Sequence, residues 1–325
     1  PWNDWASPGG SSGGASAAVM SGMGSLAHGN DIAGSLRIPS TATGACTVKP
    51  GLGRIPAYNP SQTQERGLVA QLMSVQGIIA REIKDVRLGM QSLINYDPRD
   101  PWMVEMPFES TTITSPIKIG YTKETLGETL HPAVDKALEN AIEALKDAGY
   151  ILEEIVLPEF ENAANFSART LFGELKALHE KDYKKLGSEN FNLVADNYSK
   201  IISPFEGEDL LLGMAKRSYF FREWNLFFRK YPLVLTPFLL YPTYEWDRDI
   251  QGLEGTKEVL AGMFYAHTMN YMGIPAGVVS ANYNDGLPVG VQIISSRFCE
   301  DIILKACEEI EKRVGIMAEK LFARG

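Results

Sequence analysis

"IKIGYTKETLGETLHPAVDKALENAIEALKDAGYILEEIVLP", residues 117 to 158, decides the fold class. "IKIGY" is a short apolar run of strand length. After it, Val134, Ala137, Leu138, Ala141, Ile142, Leu145 and Ala148 recur at spacings of three and four, the period of a helix with one apolar face. Pro132 near the start and Gly149 at the end are the punctuation such a helix needs. "YILEEIVLP" supplies a second strand. Strand, helix, strand predicts an α/β sheet.

The flanking segments extend that reading in both directions. Upstream, "ASAAVMSGM" (15 to 23) has the small side chains of a helix that approaches its neighbours closely, as a buried central helix does. "SLAHGN" (25 to 30) reads as a short strand, and "TVKPGLGRIP" (47 to 56) as strand and turn. Downstream, residues 160 to 230 read as mostly helical. They carry Phe172, Tyr219, Phe220, Phe221, Trp224, Phe227 and Phe228, which suit core packing or an apolar cleft. "PLVLTPFLLYP" and "GIPAGVVS" read as buried strands, "NDGLPVGVQIIS" (284 to 295) as a hairpin, and about 300 to 313 as the last helix. With no internal repeat and no linker of biased composition, residues 1–325 are expected to form a single domain.

The chain has 325 residues, 45% of them hydrophobic, enough to bury a substantial core. A net charge of −9 offers no basic face to nucleic acid or to an anionic membrane. The cluster Lys181, Lys184 and Lys185 reads as a solvated helix face. Three cysteines, Cys46, Cys299 and Cys307, are an odd number without metal-ligand spacing, which predicts a reducing compartment, the cytoplasm. Four scattered histidines give no zinc set. The apolar run "LVLTPFLLY" is too short to cross a bilayer. The chain opens Pro-Trp-Asn without methionine, and its richest motif follows within ten residues, so an upstream segment is expected.

Two serine loops carry the chemistry. "SPGGSSGGAS" (7 to 16) lacks the lysine of a P-loop and the spacing of a dinucleotide fingerprint. "HGNDIAGSLRIPSTATG" (28 to 44) sets Ser35 in a tight turn, where the amides of Ile32, Ala33, Gly34 and Ser35 are placed to converge on one oxyanion. No G-x-S-x-G elbow is present. His28 lies in a strand with no clear route to the hydroxyl. A second serine relaying the proton to a lysine solves the problem, and "GGSSGG" provides two.

The block "PGGSSGGASAAVMSGMGSLAHGNDIAGSLRIPSTATGACTVKPGLGRIP" (8 to 56) resembles the signature of the amidase signature family. Further family segments follow in order: "YDPRDPW" (96 to 102), "LVLTP" (233 to 237), "NYMGIPAGVVS" and "DGLPVGVQ". The resemblance implies a central twisted mixed sheet flanked by helices on both sides. It implies Ser35 as nucleophile, Ser11 as bridging serine behind a cis Gly10–Ser11 peptide, and Ser12 as a supporting hydrogen-bonding residue. It further implies an oxyanion hole of Ile32, Ala33, Gly34 and Ser35, with Asp31 and Arg37 fixing the loop. The implied reaction hydrolyses a small-molecule amide through an acyl-enzyme, with no metal or organic cofactor, and leaves a homodimer open.

The family lysine falls before Pro1. Lys49, in the Lys-Pro strand, reads as structural, and "SPIK" (115 to 118) enters a strand rather than the helical turn that a Ser-x-x-Lys pair needs. Ala33 stands where the family has glycine, which puts the turn's geometry in question. Two rival readings share the serines. One is the glutaminase subunit of a tRNA-dependent amidotransferase; the other is an inactive binding protein of the same fold.

Overall fold

The computed structural model describes residues 1–109 and 116–324. The elements in chain order begin with α1 (Gly13–Met20), β1 (Leu26–Asp31), α2 (Arg37–Thr43) and β2 (Cys46–Lys49). Next come α3 (Leu68–Met73), β3 (Val75–Ala80), α4 (Ile83–Leu93), β4 (Lys118–Tyr121), α5 (Pro132–Asp147) and β5 (Ile151–Glu154). Three long helices follow: α6 (Phe160–Leu186), α7 (Glu189–Ile202) and α8 (Gly207–Phe228). The chain continues with β6 (Leu233–Pro237), α9 (Gly252–Ala261), α10 (Phe264–Met272), β7 (Ala276–Asn284), β8 (Leu287–Ser295), α11 (Glu300–Val314) and α12 (Met317–Phe322).

The helix that decides the class forms for the reasons its sequence gives. His131 caps α5, its Nδ1 accepting from the Ala133 amide at 3.1 Å, and Pro132 opens the first turn. Gly149 follows the last turn at φ +90°, where a side chain is disfavoured. The apolar stripe of α5 is buried, and β4 and β5 pair in parallel on either side of this crossover.

Eight strands make one mixed sheet in the order β1-β3-β2-β7-β8-β6-β4-β5. The pairs of β4 with β5 and β6 are parallel; the others are antiparallel. Asp285 and Gly286 join β7 to β8, both at positive φ, the conformation a two-residue hairpin turn demands. One face buries Val48, Ile119, Leu138, Val291 and Ile303 under α4, α5 and α11. The other carries an aromatic cluster of Phe160, Phe220, Trp224, Phe228, Phe264 and Tyr265 from α6, α8 and α10. The sequence-predicted sheet covered on both sides is therefore the observed fold.

Two expectations are corrected. The helix at 300 to 313 is not the last, because α12 follows and packs Met317 and Ala318 against Trp2 and Leu287. Second, α1 is not a fully buried helix: Gly13, Ser16, Val19 and Met20 are covered, and its other positions are open to solvent to some degree. The aromatic middle segment is mostly core, with Phe220, Trp224 and Phe228 all buried. Of the basic cluster, Lys184 pairs with Asp196 on the surface. Among the described residues no helix is long and apolar enough to cross a membrane.

Candidate active site

The two serine loops meet. The Ser12 amide donates to the Ser35 carbonyl at 3.2 Å, a main-chain bond between segments far apart in sequence. Ser16, in the first turn of α1, shares a 2.6 Å hydrogen bond with Thr43 at the end of α2, so the helices behind the loops are tied as well. The Gly10–Ser11 peptide is cis. Gly9 lets the loop press on α2, since a Cβ there would lie 2.8 Å from Ile38 Cγ2. Gly29 of β1 makes room for Ser12 in the same way, a Cβ there falling 2.8 Å from its Oγ. Ser11 is exposed, and Ser12 and Ser35 are half-buried.

The serine turn is fixed from beneath by Asp31, the last residue of β1. Its carboxylate accepts from the Gly34 amide at 2.7 Å, the Leu36 amide at 3.2 Å, and Arg37 Nε and Nη2, each at 3.1 Å. Both side chains are fully buried. Burial alone would raise the Asp31 carboxyl pKa. The charge and hydrogen bonds of Arg37, the charge of Lys49 and the Gly34 amide outweigh it, holding the pKa below the ordinary carboxylate value. Arg37 also reaches Gln292 Oε1 at 2.7 Å, the Ala266 carbonyl at 2.9 Å and Asn270 Oδ1 at 2.5 Å. Asn270 in turn donates to the Asp31 and Met73 carbonyls, both at 2.9 Å. A buried ion pair this fully hydrogen-bonded holds one loop conformation.

This geometry revises the oxyanion turn. The Gly34 amide, one of the four expected oxyanion donors, donates to Asp31 instead. It also answers the question raised by Ala33. The positive φ of the turn, +109°, falls on Gly34, and Ala33 is not among the positive-φ residues, so its methyl imposes no strain. Ile32 and Ala33 instead pack against the aromatic cluster of α6, α8 and α10.

The remaining candidates separate. His28 is exposed on β1 opposite Ile78. Lys49 is fully buried, and its Nζ donates to its neighbour's carbonyl, Pro50 O, at 2.9 Å. Burial pushes its pKa down to about 7, with Arg37 adding to the shift and Asp31 opposing it. Lys118 of "SPIK" pairs with Glu153 at 2.7 Å, and Ser115 lies outside the described residues. Sequence reasoning misses Asn270 and Gln292, though both stand in segments that carry the family resemblance. It also misses His267, whose Nδ1 lies 2.6 Å from Ser167 Oγ; burial and Arg37 push that imidazole pKa down to about 3, leaving it neutral. Among the described residues no group of three or more His, Cys, Asp or Glu side chains is arranged to hold a metal ion.

The family model described as Amidase matches residues 1–304. The chain belongs to the amidase family. It is 37% identical over 323 residues to the indoleacetamide hydrolases of Bradyrhizobium japonicum and Bradyrhizobium diazoefficiens. That is 99% of this amidase, and 70% and 62% of the two relatives. A glutamyl-tRNA(Gln) amidotransferase subunit from Methanosarcina mazei is 26% identical, matching 96% of this chain and 69% of its own. Among solved structures, that of 6-aminohexanoate cyclic dimer hydrolase superposes with a TM-score of 0.80 at 23% identity, over 97% of this chain and 70% of that one, and so shares the fold. Amide hydrolysis is the activity these relations assign to the amidase.

Proposed function

We propose that this amidase cleaves a small carboxylic acid amide with Ser35 as nucleophile and Ser11 as the bridging serine. The observation that carries the reading is the junction of the two serine loops through Ser12 N–H and Ser35 C=O, over the buried Asp31–Arg37 pair. Ser35 Oγ attacks the amide carbonyl carbon while its proton passes to Ser11, which gives its own to the lysine that the family resemblance implies. Lys49 does not fill that place, because its ammonium lies buried against Pro50 O. The amides of Ile32, Ala33 and Ser35 receive the oxyanion, the amine or ammonia leaves protonated through Ser11, and water hydrolyses the acyl-enzyme. Ser12 holds the second loop against the first.

The similarity to indoleacetamide hydrolases favours an acyl group with a planar apolar part. The free cysteines, two of them buried, suit a reducing cytoplasm. The test is ammonia release from indole-3-acetamide by the full-length protein. Ser35→Ala is expected to abolish it and Ser11→Ala to lower it by about 10²-fold or more, with the fold kept. Hydrolysis that survives Ser35→Ala overturns the assignment. Release from glutamine instead of indole-3-acetamide would favour the amidotransferase reading, which the Methanosarcina similarity supports more weakly.

A further inference from the structure

A cavity of about 680 Å³ opens beside the end of β1 that carries the serine turn. Its walls include Tyr58, Arg66, Gln71, Ser74, Arg99 and Trp102. Ser74 links it to the turn. The buried Ser74 hydroxyl accepts from Asn30 Nδ2 at 2.8 Å and from Arg66 Nη1 at 2.9 Å, and Asn30 immediately precedes Asp31. The wall is built rather than incidental: Gln71 donates to the Arg66 carbonyl at 2.7 Å and accepts from Trp102 Nε1 at 3.1 Å.

The charged side chains lining this cavity are Glu65, Arg66, Arg99 and Asp100, and they differ in what they are bound to. Asp100 accepts from the Ala57 and Trp102 amides, at 2.8 and 2.9 Å, and is thereby committed to the main chain. Arg99 is bound to Asp97 and covers the Tyr58 ring at 4.7 Å. Glu65 lines the cavity beside Arg66 and is exposed to solvent. Arg66 is half-buried and forms no ion pair among the described residues; its bond to Ser74 uses one of five N–H donors. A guanidinium with an open edge, in a cavity walled by two aromatic side chains, matches a planar carboxylate in two-point contact.

We propose that this cavity receives the far end of the substrate and selects amides carrying a carboxylate remote from the scissile bond, with Arg66 as the anion contact. The proposal rests on the amidase reading for its link to turnover, but not for binding. The probes are 4-carboxyphenylacetamide and the uncharged 4-methylphenylacetamide, tested on the full-length protein. Wild type is expected to show about tenfold higher kcat/KM on the carboxylate. Arg66→Gln should raise KM for that substrate about tenfold and leave its kcat within twofold, with a smaller rise in KM for the methyl substrate. Added salt should raise KM for the carboxylate alone.

Calorimetric binding of the two amides to Ser35→Ala protein separates the two claims. Tighter binding of the carboxylate, lost in Arg66→Gln, upholds the subsite even if no amide is turned over. Hydrolysis of both amides with equal KM, unmoved by Arg66→Gln, overturns the subsite and leaves the amidase reading standing.

Discussion

Arg37 and Asp31 decide more at this site than the serines they support. The carboxylate organises three main-chain amides and two guanidinium nitrogens, and the guanidinium reaches on to Ala266, Asn270 and Gln292. Removing one partner leaves the other charge buried and unpaired, at a cost of about 3–5 kcal/mol. Arg37→Met is therefore expected to lose stability of that order in urea unfolding, and a loss under about 1 kcal/mol would mean that water reaches Asp31. The family pattern in the sequence marks both residues as loop-fixing and places the serines beside each other. What it does not assign is the direction of each amide. Whether Gly34 N–H points at substrate or at Asp31 depends on which residue takes the positive φ, and two adjacent small residues in one turn leave that open until the carboxylate is in place.

Elements with their own period are legible; elements defined by partners are not. α5 is written in its spacing, cap and terminal glycine, and the β7–β8 hairpin in Asn284-Asp285-Gly286. β3 leaves no such mark: "VQGIIA" is buried along nearly its whole length, shows no alternation, and gains its role from pairing with β1 and β2. α3 has six residues, too few for a period. Asn270 shows how such elements are held in place, since its amide joins the end of β1 to the end of α3 while its oxygen takes Arg37. Asn270→Ala leaves two buried carbonyls unsatisfied, for an expected loss of about 2 kcal/mol or more. Hydrogen exchange should show β1 and α3 opening together faster. Unchanged protection at both would show that the tie is dispensable.

For the whole molecule, the buried charges set how stability depends on pH. Lys49 titrates near 7 in the folded chain, and an unfolded chain holds a lysine proton to about 10.4. Between those values the unfolded state binds the proton that the folded state has lost, so this group makes stability rise with pH across the window. Below pH 7 the buried ammonium costs its full amount. Lys49→Met is thus expected to gain stability over wild type at pH 6, with the gain shrinking towards pH 10. A difference that stays constant between pH 6 and 10 would show that Lys49 keeps an ordinary pKa.

The sheet order β1-β3-β2-β7-β8-β6-β4-β5 is a long-range property that no local pattern in the sequence encodes. The signature block reveals its product, the site, without revealing its construction. The most direct test of that site is to quench the full-length protein during turnover of indole-3-acetamide and map the acyl adduct by peptide mass spectrometry. The account predicts an indole-3-acetyl group on the peptide carrying Ser35, absent in Ser35→Ala. An adduct on Ser11 or elsewhere, or steady turnover with Ser35 never acylated, would contradict it.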